Sequence, residues 1–234
     1  MILSFTYENF MNANIKEIKK PAVVVPRSCL PDVADGQVRV LAVPPNIFLL
    51  PYEVADRVGS DSCETNPQLQ QIIPYIVLRN EHAKVFVYSR GKGGAEDRLK
   101  AKLSIGLGGH VDSLPPANTT MHEWLIAEAQ RELEEEVGYQ TNEHLYFSGL
   151  ILDRLKTVED DGTIYVGQVH AGLLTLVDVV SANVTKLENN VIENGEWLSV
   201  AAVADPAVFY RLELWSQVAF SFLFNHYAPV YSAS

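Results

Sequence analysis

The chain has 234 residues, of which 47% are hydrophobic and 20% are charged, so it can bury the core of one large domain. Its formal net charge of −11 excludes a surface that coats nucleic acid, because such a surface needs clustered lysine and arginine. Two cysteines are too few for a disulfide scaffold, and no apolar stretch approaches the ~20 residues of a membrane span. We therefore expect a cytoplasmic protein that binds neither nucleic acid nor membrane.

Residues 1–70 are rich in proline, and short apolar runs alternate there with turns. The runs 38–43 and 47–50 predict strands, and residues 51–59 predict a short helix that ends at Gly59. We interpret this part of the chain as an N-terminal extension that packs on the domain that follows it.

Residues 71–234 have the pattern of an α/β domain. Residues 72–80 and 83–90 predict strands around a turn, and residues 103–109 predict a short strand that ends in glycines. The later elements are predicted to be two strand regions, a further strand and an amphipathic helix, over 146–155, 163–179, 195–200 and 210–227. The second strand region is long enough for two strands with a break near Gly172. This order of elements indicates an α/β or α+β sandwich.

The clearest helix prediction covers residues 121–137. Thr120 and Glu123 match a T-x-x-E capping box, and Gly138 stands where a left-handed C-terminal glycine belongs. At about 100° per residue, the apolar residues fall on one side and several glutamates on the adjoining side. The apolar set is Ile126, Ala129, Leu133 and Val137, and the acidic set is Glu128, Glu132, Glu135 and Glu136.

The acidic side of this helix favours a shared cation. Like charges four residues apart destabilise a helix by a few tenths of a kcal/mol each. A hard ion such as Mg²⁺ would turn that repulsion into binding, because it takes oxygen ligands from one or two carboxylates and from substrate phosphate. A solvated acidic surface is the alternative, and for Glu134 alone it is the interpretation we adopt.

Residues 108–139 resemble the signature of the Nudix (MutT-like) hydrolase superfamily. Glu123, seven further residues and then RELEEEVGY (131–139) follow the pattern E-x7-R-E-U-x-E-E-x-G-U, in which U is apolar. Gly108 and Gly109 resemble the glycine pair at the start of the signature. The resemblance implies a Nudix-like α/β/α sandwich with a mixed sheet, to which the extension is added.

The chain departs from the family pattern in two places. Gly109 and Glu123 are separated by 13 residues where the family usually has five, so residues 113–120 look like an insertion of eight. His122 replaces the family's glycine just before that glutamate. The insertion is either a plain surface loop or a lid that sets substrate preference.

The resemblance assigns catalytic and metal-binding roles to the end of the helix. Glu135 and Glu136 would ligate Mg²⁺ or Mn²⁺, with the carbonyl of Gly108 as a further ligand. Glu132 would ligate the metal or act as the general base, and Glu136 is counted with it among the catalytic residues. Arg131 would orient a catalytic glutamate through a charge-assisted hydrogen bond.

Several other carboxylates are weaker candidates. The capping box alone explains Glu123, and Glu128 lies outside the fixed positions of the signature. Nudix enzymes often take an additional carboxylate from a later loop, which makes Glu159 and Asp160 candidates. The same residues, followed by Gly162, also predict a hairpin turn, which is the alternative interpretation.

Substrate phosphate needs a second anchor in so acidic a protein. The basic segment 90–102 supplies Arg90, Arg98 and Lys102, and the alternative is a solvated loop. His110 follows the glycine pair and either faces the site or is structural. His170 lies in an apolar strand region and is predicted to be a core histidine with a satisfied nitrogen.

The leading hypothesis is a metal-dependent pyrophosphohydrolase that acts on a nucleoside diphosphate linked to another group. Its substrate would be a small phosphorylated compound, and a homodimer is left open. One alternative is a Nudix-like module that senses a nucleotide without cleaving it, although no motif glutamate is lost. Another is isopentenyl diphosphate isomerisation, for which we would expect a cysteine near the site, whereas Cys29 and Cys63 lie in the extension.

Overall fold

The computed structural model describes residues 18–59, 61–91, 102–113, 115–116, 118–141, 145–155, 166–189 and 191–225. Its strands are β1 Pro21–Pro26, β2 Val38–Leu41, β3 Glu53–Asp56, β4 Leu69–Asn80, β5 Lys84–Arg90, β6 Leu103–Ser104, β7 Gly106–Leu107, β8 Gly149–Asp153, β9 His170–Val179 and β10 Ile192–Ser199. Its α-helices are α1 Met121–Val137, α2 Val200–Ala204, α3 Pro206–Phe209 and α4 Leu214–Leu223.

These strands form one mixed sheet, whose central path runs in the order β10-β5-β4-β9-β8-β2. The long strands β4 and β9 are parallel, with Gln71 opposite His170 and Asn80 opposite Val179. The pairs on either side of them are antiparallel. The extension contributes to the same sheet, because β1 pairs with both β3 and β4, and β2 pairs with β8.

The central strand β4 separates two helical layers. Successive side chains of a strand point to opposite faces, and in β4 the side chains of Ile76 and Leu78 pack with α1. The side chain of Val77 lies on the other face, in a core that includes Ala219 and Phe220 of α4. The architecture is therefore the α/β/α sandwich with a mixed sheet that the sequence predicted.

Several elements agree with the sequence prediction and others do not. The helix over 121–137 and the strands at 72–80 and 83–90 are confirmed. The predicted strand at 47–50 is wrong, since Ile47–Leu49 is a 3₁₀ helix. The predicted helix at 51–59 is also wrong.

The segment 51–59 contains β3, which is held by its partner strand. Ala55 lies opposite Ala22 and Val54 opposite Val23 in the antiparallel ladder with β1. This pairing joins residues that are far apart in the chain. The local sequence pattern of 51–59, from which the helix was predicted, contains no information about it.

Two later predictions also differ from the structure. The predicted break near Gly172 does not occur, because β9 is continuous through it. A Cβ at that glycine would lie 2.8 Å from the ring of Trp215, so the glycine provides space for the indole. The predicted closing helix over 210–227 is shorter, since α4 covers Leu214–Leu223 and residues 226–227 lie outside the described part. Within the described residues, no helix has both the length and the apolar character needed to cross a membrane.

Candidate active site on the glutamate helix

The ends of α1 are fixed by the two capping devices that the sequence predicted. The Thr120 hydroxyl accepts from the backbone N–H of Glu123 at 3.2 Å, and the Glu123 carboxylate accepts from the Thr120 N–H at 2.8 Å. Gly138 has a left-handed φ of 66° and its N–H donates to the carbonyl of Glu134. Glu123 thus serves as a cap, and the register of the helix is set at both ends.

The glycine pair brings the backbone against two glutamates of the helix. The Gly108 N–H donates to Oε2 of Glu136 at 2.8 Å. Gly108 has a φ of 133°, and a Cβ there would lie 1.9 Å from the carbonyl oxygen of Pro74. A Cβ on Gly109 would lie 2.9 Å from Oε1 of Glu132. Glycine is therefore required at the first position, and at the second it allows close contact with a carboxylate.

Arg131 joins three carboxylates. Its guanidinium donates to Glu128 at 3.0 Å, to Glu132 at 2.6 Å and to Glu135 at 2.7 Å. It also donates to the backbone carbonyl of His110 at 3.2 Å. The planar guanidinium suits such multiple bonding, so Arg131 fixes the orientation of the carboxylates and connects them to the loop after the glycine pair.

The glutamates of the acidic side differ in their burial. Glu132 and Glu136 are only 8% and 6% exposed, and Glu128 is similarly buried. Glu128 accepts from the Ser113 hydroxyl and from Arg131, so it is part of an internal network. The side chain of Glu135, in contrast, is 56% exposed. The buried pair at 132 and 136 is therefore the centre of the candidate site.

Burial dominates the ionisation of that pair. It raises the pKa of Glu132 to about 7, although the Arg131 charge and hydrogen bond lower it. Burial, followed by the charge of Glu132, raises the pKa of Glu136 to about 8. Two buried carboxylates that repel each other in this way form an oxygen donor set that fits a hard divalent cation such as Mg²⁺ or Mn²⁺.

The basic side chains that were predicted to bind phosphate differ in their burial. Arg90 is 23% exposed and its guanidinium lies 3.6 Å from the buried carboxylate of Glu213, while its charge lowers the pKa of the nearby Glu136. Lys102 is exposed beside the strand β6. Arg98, like the carboxylates Glu159 and Asp160, lies outside the described residues, so its role stays a prediction.

The side chain of His110 contacts a second group of residues. Its Nε2 lies 3.0 Å from Nε2 of His170 and 3.9 Å from Oε1 of Glu64. Burial, His170 and Arg57 hold the pKa of His110 well below its usual value. His170 is buried and its Nδ1 is satisfied by the Val166 carbonyl, in agreement with its predicted core position. Sequence reasoning gave no role to Glu64, because it has no motif spacing to either histidine.

Comparison with known proteins agrees with this fold. No protein-family model matches the chain. The structure superposes on that of Tm1382, described as a candidate Nudix hydrolase, with a TM-score of 0.62 and 21% identity, covering 89% of this chain and 100% of that one. The NUDIX domain of Shewanella oneidensis NrtR, solved with ADP ribose, aligns with a TM-score of 0.41 and 14% identity over 67% of this chain and 83% of that one, a likeness too distant to transfer a ligand.

The α/β/α sandwich, with a glutamate helix set against a glycine pair, defines the class of protein as one with the Nudix hydrolase fold. Protein YmaB of Bacillus subtilis (strain 168) is 34% identical over 156 residues, which cover 66% of this chain and 71% of YmaB. The chain belongs to the family of protein YmaB.

Proposed function

We propose that this protein is a divalent-metal-dependent hydrolase of a phosphoric anhydride bond in a nucleoside diphosphate linked to another group. The observation that carries the proposal is the burial of Glu132 and Glu136 together against Gly108 and Gly109, with Arg131 in contact with the first of them. Burying two ionised carboxylates side by side lowers the stability of the folded chain, because both lose hydration and repel each other. A bound cation would offset that loss.

The metal ligands in this proposal are Glu135 and Glu136, with Glu132 and the Gly108 carbonyl as further donors. A bound Mg²⁺ or Mn²⁺ would neutralise charge that develops on the phosphate oxygens. Glu136 is held by the Gly108 N–H, so the carboxylate has a fixed direction before any ligand arrives.

Glu132 is the residue that we assign as general base. Its pKa of about 7 in the metal-free protein lies near neutral pH, where a base both accepts a proton readily and is available to do so. Arg131 donates to its Oε1 at 2.6 Å and so restricts the orientation of the carboxylate that would accept the proton of an attacking water. Arg131 is a positioning residue in this mechanism.

No observation favours the two alternative functions. The binding-module alternative would be supported by loss of a motif glutamate, and Glu132, Glu135 and Glu136 are all present. For the isomerase alternative, Cys63 is fully buried beside Val24, and burial raises the pKa of its thiol to about 11. Both cysteines are free, which supports a reducing, cytoplasmic setting as part of this proposal.

The direct test is product release from a panel of dinucleotides, nucleotide sugars, ADP ribose and nucleoside triphosphates. Wild-type protein should release a nucleoside monophosphate from at least one compound with Mg²⁺ and none in EDTA. Glu132→Gln should lose the activity, whereas Glu134→Gln, an exposed change on the same helix, should keep it. Equal turnover in EDTA and Mg²⁺, or no turnover with any compound, would reject the proposal.

A further inference from the structure

We propose that Glu64, His110 and His170 form a second metal site, for a transition-metal ion of the Zn²⁺ class, separate from the carboxylate site on α1. One ligand atom from each of the three residues lies within 4.8 Å of the others. The residues come from three elements: the 3₁₀ helix Cys63–Thr65 of the extension, the loop after β7 and the start of β9. The site would therefore join the extension to the Nudix-like part of the chain.

The tautomer of His170 supports this assignment. Its Nδ1 lies 2.6 Å from the carbonyl oxygen of Val166, and a carbonyl only accepts, so Nδ1 carries the hydrogen. In the neutral ring, Nε2 then presents a lone pair toward His110. Metal-binding histidines are commonly oriented in this way, with the second ring nitrogen donating to a backbone carbonyl.

The spacing of the two histidines is close to that of ligands on one ion. Their Nε2 atoms are 3.0 Å apart. Two nitrogens that each lie ~2.1 Å from a tetrahedral Zn²⁺ are separated by ~3.4 Å. A small outward shift of one ring would therefore admit the ion. Without an ion, the same distance describes a hydrogen bond between the two rings, and this is the competing interpretation.

Gln71 provides an independent sign of a ligand. It lies opposite His170 in the parallel ladder of β4 and β9, so the two side chains project from the same face of the sheet. Gln71 is fully buried, and within the described residues neither its Oε1 nor its Nε2 has a hydrogen-bond partner. An unpaired buried amide costs free energy. A bound ion, or a water on that ion, would supply the missing partner.

The donor set selects the class of ion. Two imidazole nitrogens and one carboxylate suit Zn²⁺ and related transition metals, whereas the all-oxygen set of α1 suits Mg²⁺. Arg57 donates to Oε1 of Glu64 at 2.8 Å, so a bound ion would share this carboxylate with Arg57. That competition moderates the affinity without removing the carboxylate from the site.

The second site would act on the first through His110. The side chain of His110 belongs to the proposed site, while its backbone carbonyl accepts from Arg131 at 3.2 Å. An ion that fixes the imidazole would also fix the loop next to the glycine pair. The site is thus a structural link that holds the extension against the glutamate cluster, whether or not the protein is a hydrolase.

Zn²⁺ binding to the full, tag-free chain tests this proposal. Protein stripped with a chelator is titrated with Zn²⁺ in excess Mg²⁺, and the bound zinc is counted by mass spectrometry. We expect one tightly bound Zn²⁺ per chain and a higher melting temperature. Glu64→Gln and His170→Gln should each weaken binding ~100-fold or more. The controls are Glu136→Gln, which changes the carboxylate site on α1, and His82→Gln, which removes an exposed histidine. Both variants should bind Zn²⁺ at the histidine site as the wild type does.

A second measurement on the wild type covers the case in which a ligand variant fails to fold. X-ray absorption at the zinc edge of the loaded protein should show two imidazole ligands and at least one oxygen. No stoichiometric binding, a zinc environment without imidazole, or loss of zinc in Glu136→Gln with retention in folded His170→Gln would each overturn the second site.

Discussion

The backbone N–H of Gly108 donates to Oε2 of Glu136 at 2.8 Å, and this contact joins the segment just after β7 to the glutamate helix. Glycine is needed for this hydrogen bond because the backbone has a φ of 133°, in a region that favours glycine. The carbonyl oxygen of Pro74 also occupies the space that a side chain at position 108 would need. The direction of a candidate metal ligand therefore depends on a residue that has no side chain.

The replacement Gly108→Ala should lower both stability and metal binding. A Cβ there would lie 1.9 Å from the Pro74 oxygen, so the loop must move and the bond to Glu136 must lengthen or break. Gly59→Ala is the matched control, since that glycine has a φ of 100° but its added Cβ would have no atom of the described structure within 4 Å. Thermal unfolding of the two variants separates backbone strain from the clash, and equal losses would contradict the role of Gly108.

Substitution of the buried glutamates should remove turnover without unfolding the protein. Loss of a general base costs ~10²–10⁴-fold, so kcat of Glu132→Gln should fall by at least that factor. Glu136→Gln should fall similarly, because it loses a metal ligand. Steady-state kinetics on the best substrate of the panel provides the measurement, with Glu134→Gln as the control. Full activity in either buried variant would remove that residue from the mechanism.

The metal-free protein should lose stability as the pH rises. The folded-state pKa values of Glu132 and Glu136 lie above their usual 4.5, at about 7 and about 8, so the native state holds protons that the unfolded state releases. This contribution is complete below about pH 4.5 and is lost as the pH rises through about 7 to 8. The melting temperature measured in EDTA should therefore fall as the pH rises from about 4.5 to about 8.

Mg²⁺ should reverse this loss mainly at high pH, because its ligands must be deprotonated. In EDTA, Glu136→Gln should show a flatter pH dependence than the wild type, since the group with the higher pKa is gone. Glu134→Gln should follow the wild type. If the melting temperatures of the wild type and of Glu136→Gln change with pH in the same way, these carboxylates are not the coupled pair that we describe.

Arg90 and Lys102 should respond differently to replacement by alanine. Arg90→Ala leaves the carboxylate of Glu213 buried without its cation, which costs about 3 kcal/mol of unfolding free energy. Lys102 is exposed, so Lys102→Ala should keep its stability and, if the basic segment binds phosphate, raise KM at low salt. Chemical denaturation and kinetics of the two variants test this difference. Unchanged stability of Arg90→Ala would show that the ion pair is not structural.

The sequence predicted the parts of the fold that local signals control. The boundaries of α1 follow from the Thr120 capping box and from Gly138, which act within a few residues of the helix ends. The β4–β5 hairpin follows from two apolar runs around a short turn. The glutamates that line α1 could be recognised because their spacing is fixed by the helix itself.

Other features depend on contacts between distant segments and could not be predicted. β3 is a strand because it pairs with β1. Gly172 lies within the continuous strand β9, where the ring of Trp215 occupies the space that a side chain would need. Likewise, Glu64 and His170 meet only after the extension packs against residues 166–169, which lie just before β9. No spacing in the sequence connects them, and the spatial neighbourhood is the only signal.

Mn²⁺ binding, followed by electron paramagnetic resonance, tests the glutamate site most directly. The titration is performed on protein that carries His170→Gln, so that the proposed histidine site does not contribute. With α1 otherwise intact, Mn²⁺ should bind, and excess Mg²⁺ should displace it. Adding Glu136→Gln should weaken this binding ~10-fold or more, whereas adding Glu134→Gln should leave it unchanged. Equal Mn²⁺ affinity in the two double variants would contradict a metal site at the buried glutamate pair.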